Sequence, residues 1–388
     1  MDHIFEDTAT AVSRKTDSEL ERAYCLFKMI ANETLVRIGT AMTNFAIKAH
    51  LPVDGLIRAT VFDHFCGGVN EADCMHVVEK MWTKNVSSVL DYSVEGKEEE
   101  DPLDNTLKKV LELLEFVKEK EAIPFAVFKP TGYGRFGLFE KIGVGEELNA
   151  NEKKEWDRVV ARFDQTCKKA FDLEVSLLID AEESWMQDAA DMLAEQMMQK
   201  YNKKKAIVFN TVQMYRWDRM GYLKKLHQKA EKEGFRIGVK VVRGAYMEKE
   251  NERALERGYA TPICANKAET DINFDTAVAY MLHHIKTISL FAGTHNEEST
   301  YRLMQLMKEN EIANNDSRIW FGQLYGMSDH ISFNLSAQGY NVAKYLPFGP
   351  VRDVMPYLIR RAEENTSVAG QTSRELALLK RERKRRKI

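Results

Sequence analysis

Apolar residues recur at spacings of three and four through residues 18–50, SELERAYCLFKMIANETLVRIGTAMTNFAIKAH. That spacing predicts helix. Beyond it, short apolar runs alternate with long amphipathic stretches. The runs are SVLDYSV (88–94), PFAVFK (124–129), EVSLLID (174–180), KAIVFN (205–210), RIGVKVV (236–242), TISLFAG (287–293) and RIWFGQL (318–324), with TVFDHFC (60–66) as a further candidate. Between them lie helix patterns such as NEKKEWDRVVARFDQTCKKAF and SWMQDAADMLAEQMMQKY. Strand–helix alternation argues for a parallel sheet. About eight such units in a chain of this length fit a closed (βα)8 TIM barrel, an α/β fold, better than an open sheet. No stretch rich in Pro, Gly or Ser divides the chain. The expected organisation is an N-terminal helical arm over 1–50, one barrel over 51–376 and a basic tail over 377–388.

Composition narrows the function classes. The 388 residues are 44% hydrophobic and 30% charged, with a net charge of -3. This is a soluble globular balance, with no overall charge to bind nucleic acid. No apolar run approaches the roughly 18–20 residues of a membrane span. The first 22 residues are too acidic for a signal or transit peptide, so a cytoplasmic location is expected. Cys25, Cys66, Cys74, Cys167 and Cys264 are scattered with no C-x-x-C pair, which disfavours both a disulfide framework and a zinc site.

Gly132, Gly134 and Gly137 spell G-x-G-x-x-G after the run ending at Lys129. A dinucleotide fingerprint also needs a helix opening at the glycines and an acid ending the next strand about 20 residues on. Here LFEKIGVGEELNANEK follows, which reads as a loop, with the next helix capped near Asn149 or Asn151. The next strand comes too late, so the glycines are expected to shape a loop.

The ends of the apolar runs carry more chemistry. Lys129 ends one; Asp180, Glu182 and Glu183 end another; Asn210 and Gln213 follow a third. Lys240 and Arg243 lie within or after RIGVKVV, and His295 and Asn296 follow SLFAGT. C-terminal strand ends converge on the mouth of such a barrel. Lys240 alternates with apolar neighbours and faces either the barrel interior or the surrounding helices. In both places a charge is desolvated and needs a partner or a task. A cation below an electron-accepting ring would be one such task. In YLPFGPVRDVMPYLIRRAEEN (345–365), Pro356 suits a first helical turn. Arg360 and Arg361 then lie four and three residues before Glu364. Two readings remain open for them: an exposed helical ion pair, or a fork for a carboxylate oriented by Glu364.

Together these residues resemble the proline dehydrogenase family, FAD enzymes on a distorted (βα)8 barrel. The likeness runs from about residue 17 to residue 380. It rests on LDYSVE (90–95), Lys129, Asp180-Ala181-Glu182, VKVVRGAY (239–246), THN (294–296), QLYGM (323–327) and YLIRRAEENTSV (357–368). The resemblance implies oxidation of L-proline to Δ1-pyrroline-5-carboxylate with electrons passing to a quinone, and a pyrroline-5-carboxylate dehydrogenase as a partner. It implies that Lys129, Arg360 and Arg361 hold the substrate carboxylate, with Asp180 as the active-site aspartate beside the lysine. Tyr246, Tyr345 and Leu324 match the walls around the pyrrolidine ring. Members that prefer hydroxyproline carry a smaller polar residue at the place of Tyr345. For FAD it implies Ala181, Gln213, Val242, Arg243, Gly244, Ala245, Thr270, Thr294, His295 and Asn296. The sequence departs from many bacterial members in having lysine rather than arginine at Lys240, near the flavin. The loop GGVNEAD does not align cleanly, and Glu71 in it is a candidate gate. The basic KRERKRRKI end is a candidate for peripheral docking on anionic lipid. From another class, a metal-dependent barrel hydrolase or isomerase would use Asp180, Glu182 and His295 as ligands. A binding protein would use Arg360 and Arg361 as an anion clamp.

Overall fold

The computed structural model describes residues 3–48, 54–92, 99–367 and 371–388. Eight strands close into a barrel in sequence order. They are β1 (Val86–Tyr92), β2 (Phe125–Phe128), β3 (Ser176–Ile179), β4 (Val208–Gln213), β5 (Ile237–Val242), β6 (Ile288–Gly293), β7 (Ile319–Leu324) and β8 (Val342–Phe348). The registers recorded between neighbours are parallel, with Lys240 of β5 opposite Thr211 of β4 and Phe291 of β6. Helices separate successive strands, as a right-handed parallel crossover requires.

Seven strands fall on the apolar runs. TVFDHFC does not: Arg58–Phe62 is a π-helical turn and Asp63–Phe65 continues it as α-helix. Its buried Phe62, Phe65 and Cys66 are spaced at three and four, a helical period that outranks the run's apolar content. The eighth strand is instead Val342–Phe348, buried at every position. Lys344 interrupts its apolar pattern and Pro347 its strand propensity, which hides it from a reading by hydropathy. The stretch after the glycines is also corrected, because Phe136–Gly143 is helical rather than a loop. Gly134 serves packing, since a Cβ there would lie 2.5 Å from Val159 Cγ2.

The chain forms two compact units, residues 95–322 and residues 1–94 with 323–388. In the first, Phe125 meets Phe209, Phe291 and Trp320 edge to face, with centroids 5.2–5.7 Å apart. Glycines make room for these rings: a Cβ on Gly322 would fall 2.1 Å from Phe291, and one on Gly238 2.6 Å from Phe209. Phe125 opens β2, so this aromatic plug lies toward the strand starts, and the opposite ends remain for polar groups.

In the other unit, the predicted N-terminal helix is two helices, Asp17–Ile30 and Glu33–Lys48. Thr16 and Glu19 form a capping box at the first. Asn32 accepts from Leu35 N at 3.1 Å and starts the second. Ala11, Val12, Leu20, Ala23 and Phe27 pack with Leu379 of the C-terminal helix Gln371–Arg386. The basic end is thus part of a folded helix. Arg381 pairs with Glu6, Arg383 with Glu21 and Arg386 with Asp17. Arg385 and Arg386 both reach the fully buried Glu382, which also accepts from Thr8 Oγ1 at 2.8 Å. These arginines bind carboxylates of their own chain, while Lys380, Lys384 and Lys387 of the same run are exposed. No helix among the described residues is long and apolar enough to cross a membrane.

The Arg385 hydrogen bond, with Arg386 and Thr8, outweighs burial and holds Glu382 at about 2 against an ordinary 4.5. A depressed carboxylate stabilises the fold above its ordinary value and loses that contribution as pH falls through its folded value. Glu382→Gln is therefore expected to cost about 1–3 kcal/mol at neutral pH. The gap to wild type should close between pH 4.5 and 2, as followed by urea unfolding across that range.

Candidate active site

Lys129 directly follows β2, Asp180 directly follows β3, and Lys240 lies inside β5. All three belong to the unit 95–322, and the barrel brings them together. Lys129 Nζ is 3.4 Å from Asp180 Oδ2, while Lys240 Nζ pairs with Asp180 Oδ1. Lys240 is buried and the other two are only 14–15% exposed. One carboxylate thus holds two ammonium groups in a nearly dry pocket, leaving an excess of one positive charge among the three groups. Burial pushes the Asp180 carboxyl up, but Lys240 and Lys129 outweigh it and keep the group below its ordinary value. Asp180 is an anion throughout the neutral range.

Beside them, buried Glu182 clasps the turn that follows Lys129. Thr131 donates its N–H to Oε2 at 2.9 Å and its hydroxyl to Oε1 at 2.6 Å. Gln213, the last residue of β4, donates to the Glu182 carbonyl at 2.7 Å. Desolvation raises the Glu182 carboxyl to about 7, against the opposing pull of Thr131 and Lys129. The sequence marks Glu182 as polar at a strand end but hides its partner. Thr131 is recognisable only as a hydroxyl in the Lys-Pro-Thr-Gly turn.

The β5 and β6 ends also meet. Arg243 donates to Asp271, to Thr294 Oγ1 at 2.7 Å and to Ser299 Oγ at 2.9 Å. Its guanidinium lies over Phe274, 4.5 Å from the ring centroid. Gly244 has φ +136°, and a Cβ there would lie 2.5 Å from the Tyr215 ring, so the position requires glycine. Ala245 is exposed, and Tyr246 and Val242 are half-buried. Asn296 caps helix Glu297–Glu309 by accepting from Ser299 N at 3.0 Å, which occupies its side-chain oxygen. Half-buried Ala181 lies between Asp180 and Glu182, and half-buried His295 between Thr294 and Asn296. Buried Thr270 sits in helix Lys267–His283. No sequence signal pairs Asp271 with Arg243, because 28 residues and the helix Met247–Arg257 separate them.

In the other unit, Leu324 ends β7, Tyr345 is central in β8, and Arg360 and Arg361 lie on helix Met355–Ser367. Arg361 is buried, with its guanidinium 5.1 Å from the Tyr357 ring centroid, and Arg360 is half-buried. The Glu364 side chain lies outside the described residues. Glu71 opens helix Glu71–Trp82.

The metal reading does not fit. Among the described residues no group of three or more His, Cys, Asp and Glu is placed to hold an ion. Asp180 faces two cations and both Glu182 oxygens accept from Thr131, so each carboxylate is already engaged within the protein.

A family model, proline dehydrogenase, matches residues 74–374. The carbapenem antibiotics biosynthesis protein CarD of Pectobacterium carotovorum subsp. carotovorum is 33% identical over 365 residues, covering 93% of this chain and 94% of that protein. Mitochondrial proline dehydrogenase 1 of Dictyostelium discoideum is 30% identical over 428 residues, covering 98% and 74%. Among solved structures, proline utilization A from Bdellovibrio bacteriovorus aligns with a TM-score of 0.72 at 21% identity. That alignment covers 94% of this chain and 39% of the larger protein, and it is a likeness of fold.

Glu182 gives a test independent of substrate. A carboxyl whose folded value is raised from 4.5 to about 7 makes the fold lose stability as pH rises through that interval, because the unfolded chain ionises first. Relative to Glu182→Gln, wild type should lose on the order of 3 kcal/mol between pH 4.5 and 8. Parallel denaturant curves at the two ends of the range check it.

Proposed function

The chain belongs to the proline dehydrogenase family, and from that premise we propose that it oxidises L-proline to Δ1-pyrroline-5-carboxylate with FAD as its cofactor. The observation that carries the reading is the Lys129–Asp180–Lys240 constellation. A small zwitterion needs a cation for its carboxylate and a site too dry for water to compete. Lys129 offers that cation on a strand end, and Asp180 holds it in place. By the family resemblance, Arg360 and Arg361 act on the same carboxylate, and Tyr246, Leu324 and Tyr345 wall the ring. Glu364 would orient the arginines.

The donor set fits a flavin dinucleotide. Lys240 is a buried cation of the kind that stabilises a ring gaining negative charge. Arg243 is a partly exposed guanidinium beside Thr294. Gly244 presents exposed backbone without a side chain, which permits close approach. Ala181, Gln213, Val242, Ala245, Thr270 and His295 complete the expected contacts. Asn296 would contribute backbone rather than side chain, since its oxygen serves the helix cap. FAD, when bound, supplies a hydride acceptor for the ring carbon as the nitrogen lone pair forms the imine. The protein's part is to fix the ring by its carboxylate, to exclude water and to receive the amine unprotonated. A quinone would reoxidise the cofactor, and a pyrroline-5-carboxylate dehydrogenase would consume the product.

The purified protein is expected to show flavin bands that bleach anaerobically on addition of L-proline. Replacing Arg360 or Arg361 by Met should raise the proline KM by about tenfold or more, the loss of one charge-assisted contact, with flavin content unchanged. A colourless protein that needs a divalent metal for any turnover would sink the reading. Unchanged proline kinetics in both arginine variants would remove the fork assignment alone.

A further inference from the structure

A second buried charge cluster lies in the unit formed by residues 1–94 and 323–388, outside the groups assigned above. Its centre is Asp329, the first residue of helix Asp329–Ala337. Three cations surround that carboxylate: Lys344 Nζ of β8 at 2.8 Å, Lys15 Nζ at 2.9 Å and Arg14 Nη2 at 3.3 Å. Lys344 is completely buried, and the side chains of Arg14, Lys15 and Asp329 are at most 12% exposed. The three cations hold the Asp329 carboxyl well below its ordinary value against the opposing effect of burial.

What the cluster grips is the turn after β7. Lys344 Nζ donates to the carbonyl of Met327 at 2.6 Å and lies 3.4 Å from that of Leu324. Ser328 N–H donates to Glu375 of the C-terminal helix. His64 Nε2 is 3.0 Å from the Gly326 carbonyl. Tyr325 N–H donates to the Tyr345 carbonyl at 2.8 Å, tying the turn to β8. The turn is strained, since Gly326 (φ +80°) and Ser328 (φ +51°) are both left-handed. A Cβ at Gly326 would lie 2.4 Å from the His64 carbonyl. Such a conformation persists only where its surroundings over-determine it, and strain of this kind gathers at functional positions. This short turn is held by polar groups from four separate parts of the chain.

We propose that Arg14, Lys15, Asp329, Lys344 and Glu375 form a buried clamp that fixes the turn after β7, and through it Leu324 and Tyr345, so that these five are positioning residues for the ring-recognising wall of the substrate site. The inference rests on the proline reading for what the wall recognises. Through Arg14 and Lys15 the N-terminal segment thereby takes part in substrate discrimination. Lys344 acts twice, through its carbonyl contacts and as the residue preceding Tyr345.

The test uses full-length holoenzyme with Lys15→Met, which removes one of the three cations and keeps the aliphatic stem, and Glu375→Gln, which keeps the shape and an acceptor for Ser328. Each variant should raise the proline KM by about fivefold with kcat nearly unchanged. Each should also lower the preference for L-proline over trans-4-hydroxyproline, measured as the ratio of kcat/KM values, by a similar factor. A purely structural role would lower the melting temperature and active fraction, which cancel in that ratio. Amide exchange across residues 324–328 is read in parallel without substrate and should accelerate in both variants. An unchanged discrimination ratio together with unchanged exchange would overturn the clamp. If wild type turned over no proline, the parent reading would fail and the exchange comparison alone would decide the clamp. If Lys15→Met did not fold, Glu375→Gln would carry both measurements.

Discussion

The polar end of the barrel depends on a single carboxylate. Taking an ammonium group out of water is costly, and a pair breaks even only when geometry and further hydrogen bonds are good. Asp180 lets the chain place two lysines, Lys129 and Lys240, in one nearly dry volume. Without it their mutual repulsion would force one to deprotonate or swing outward. On the proposed reading, the carboxylate that holds Lys129 in place also sets where a substrate carboxylate would meet it. Glu182 extends it by holding the turn beyond Lys129 through Thr131.

A similar arrangement recurs around Asp329 with the stoichiometry increased, one carboxylate against Arg14, Lys15 and Lys344. There Lys344 also donates to backbone carbonyls, so its charge serves local conformation. Buried ion pairs contribute little net stability compared with apolar packing of equal volume. The aromatic plug around Phe125 and the helix contacts around Phe27 supply packing. The two charge clusters specify where particular backbone and side-chain groups must sit.

Much of this was legible in the order of residues, for physical reasons. Fully buried parallel strands read as continuous apolar runs, and Phe125–Phe128, Ser176–Ile179 and Ile237–Val242 stand out accordingly. Polar residues ending those runs pointed to one end of the barrel. Strand β8 escaped because Lys344 is a buried charge that breaks the apolar run, and its partners, Asp329 and the Met327 carbonyl, lie outside the strand where no local period marks them. Residues 60–66 misled because apolar content was weighed above period. The basic end read as a tail because Glu6, Glu21 and Asp17, which pair with its arginines, lie more than 350 residues away. Local pattern reports periodicity and burial, whereas long-range ion pairs leave no local trace.

The division of the chain has a consequence for how the protein is made. The unit of residues 95–322 is continuous, so its contacts are available as soon as that stretch leaves the ribosome. The other unit is split, and its first 94 residues emerge long before residues 323–388. Until then Arg14 and Lys15 lack Asp329, Thr8 lacks Glu382, and Phe27 lacks Leu379. The opening helices must therefore wait, with apolar faces uncovered, through the synthesis of more than two hundred residues. During that interval the nascent chain presents a natural target for chaperones, and helix Gln371–Arg386, which brings Leu379, is the one that ends the exposure.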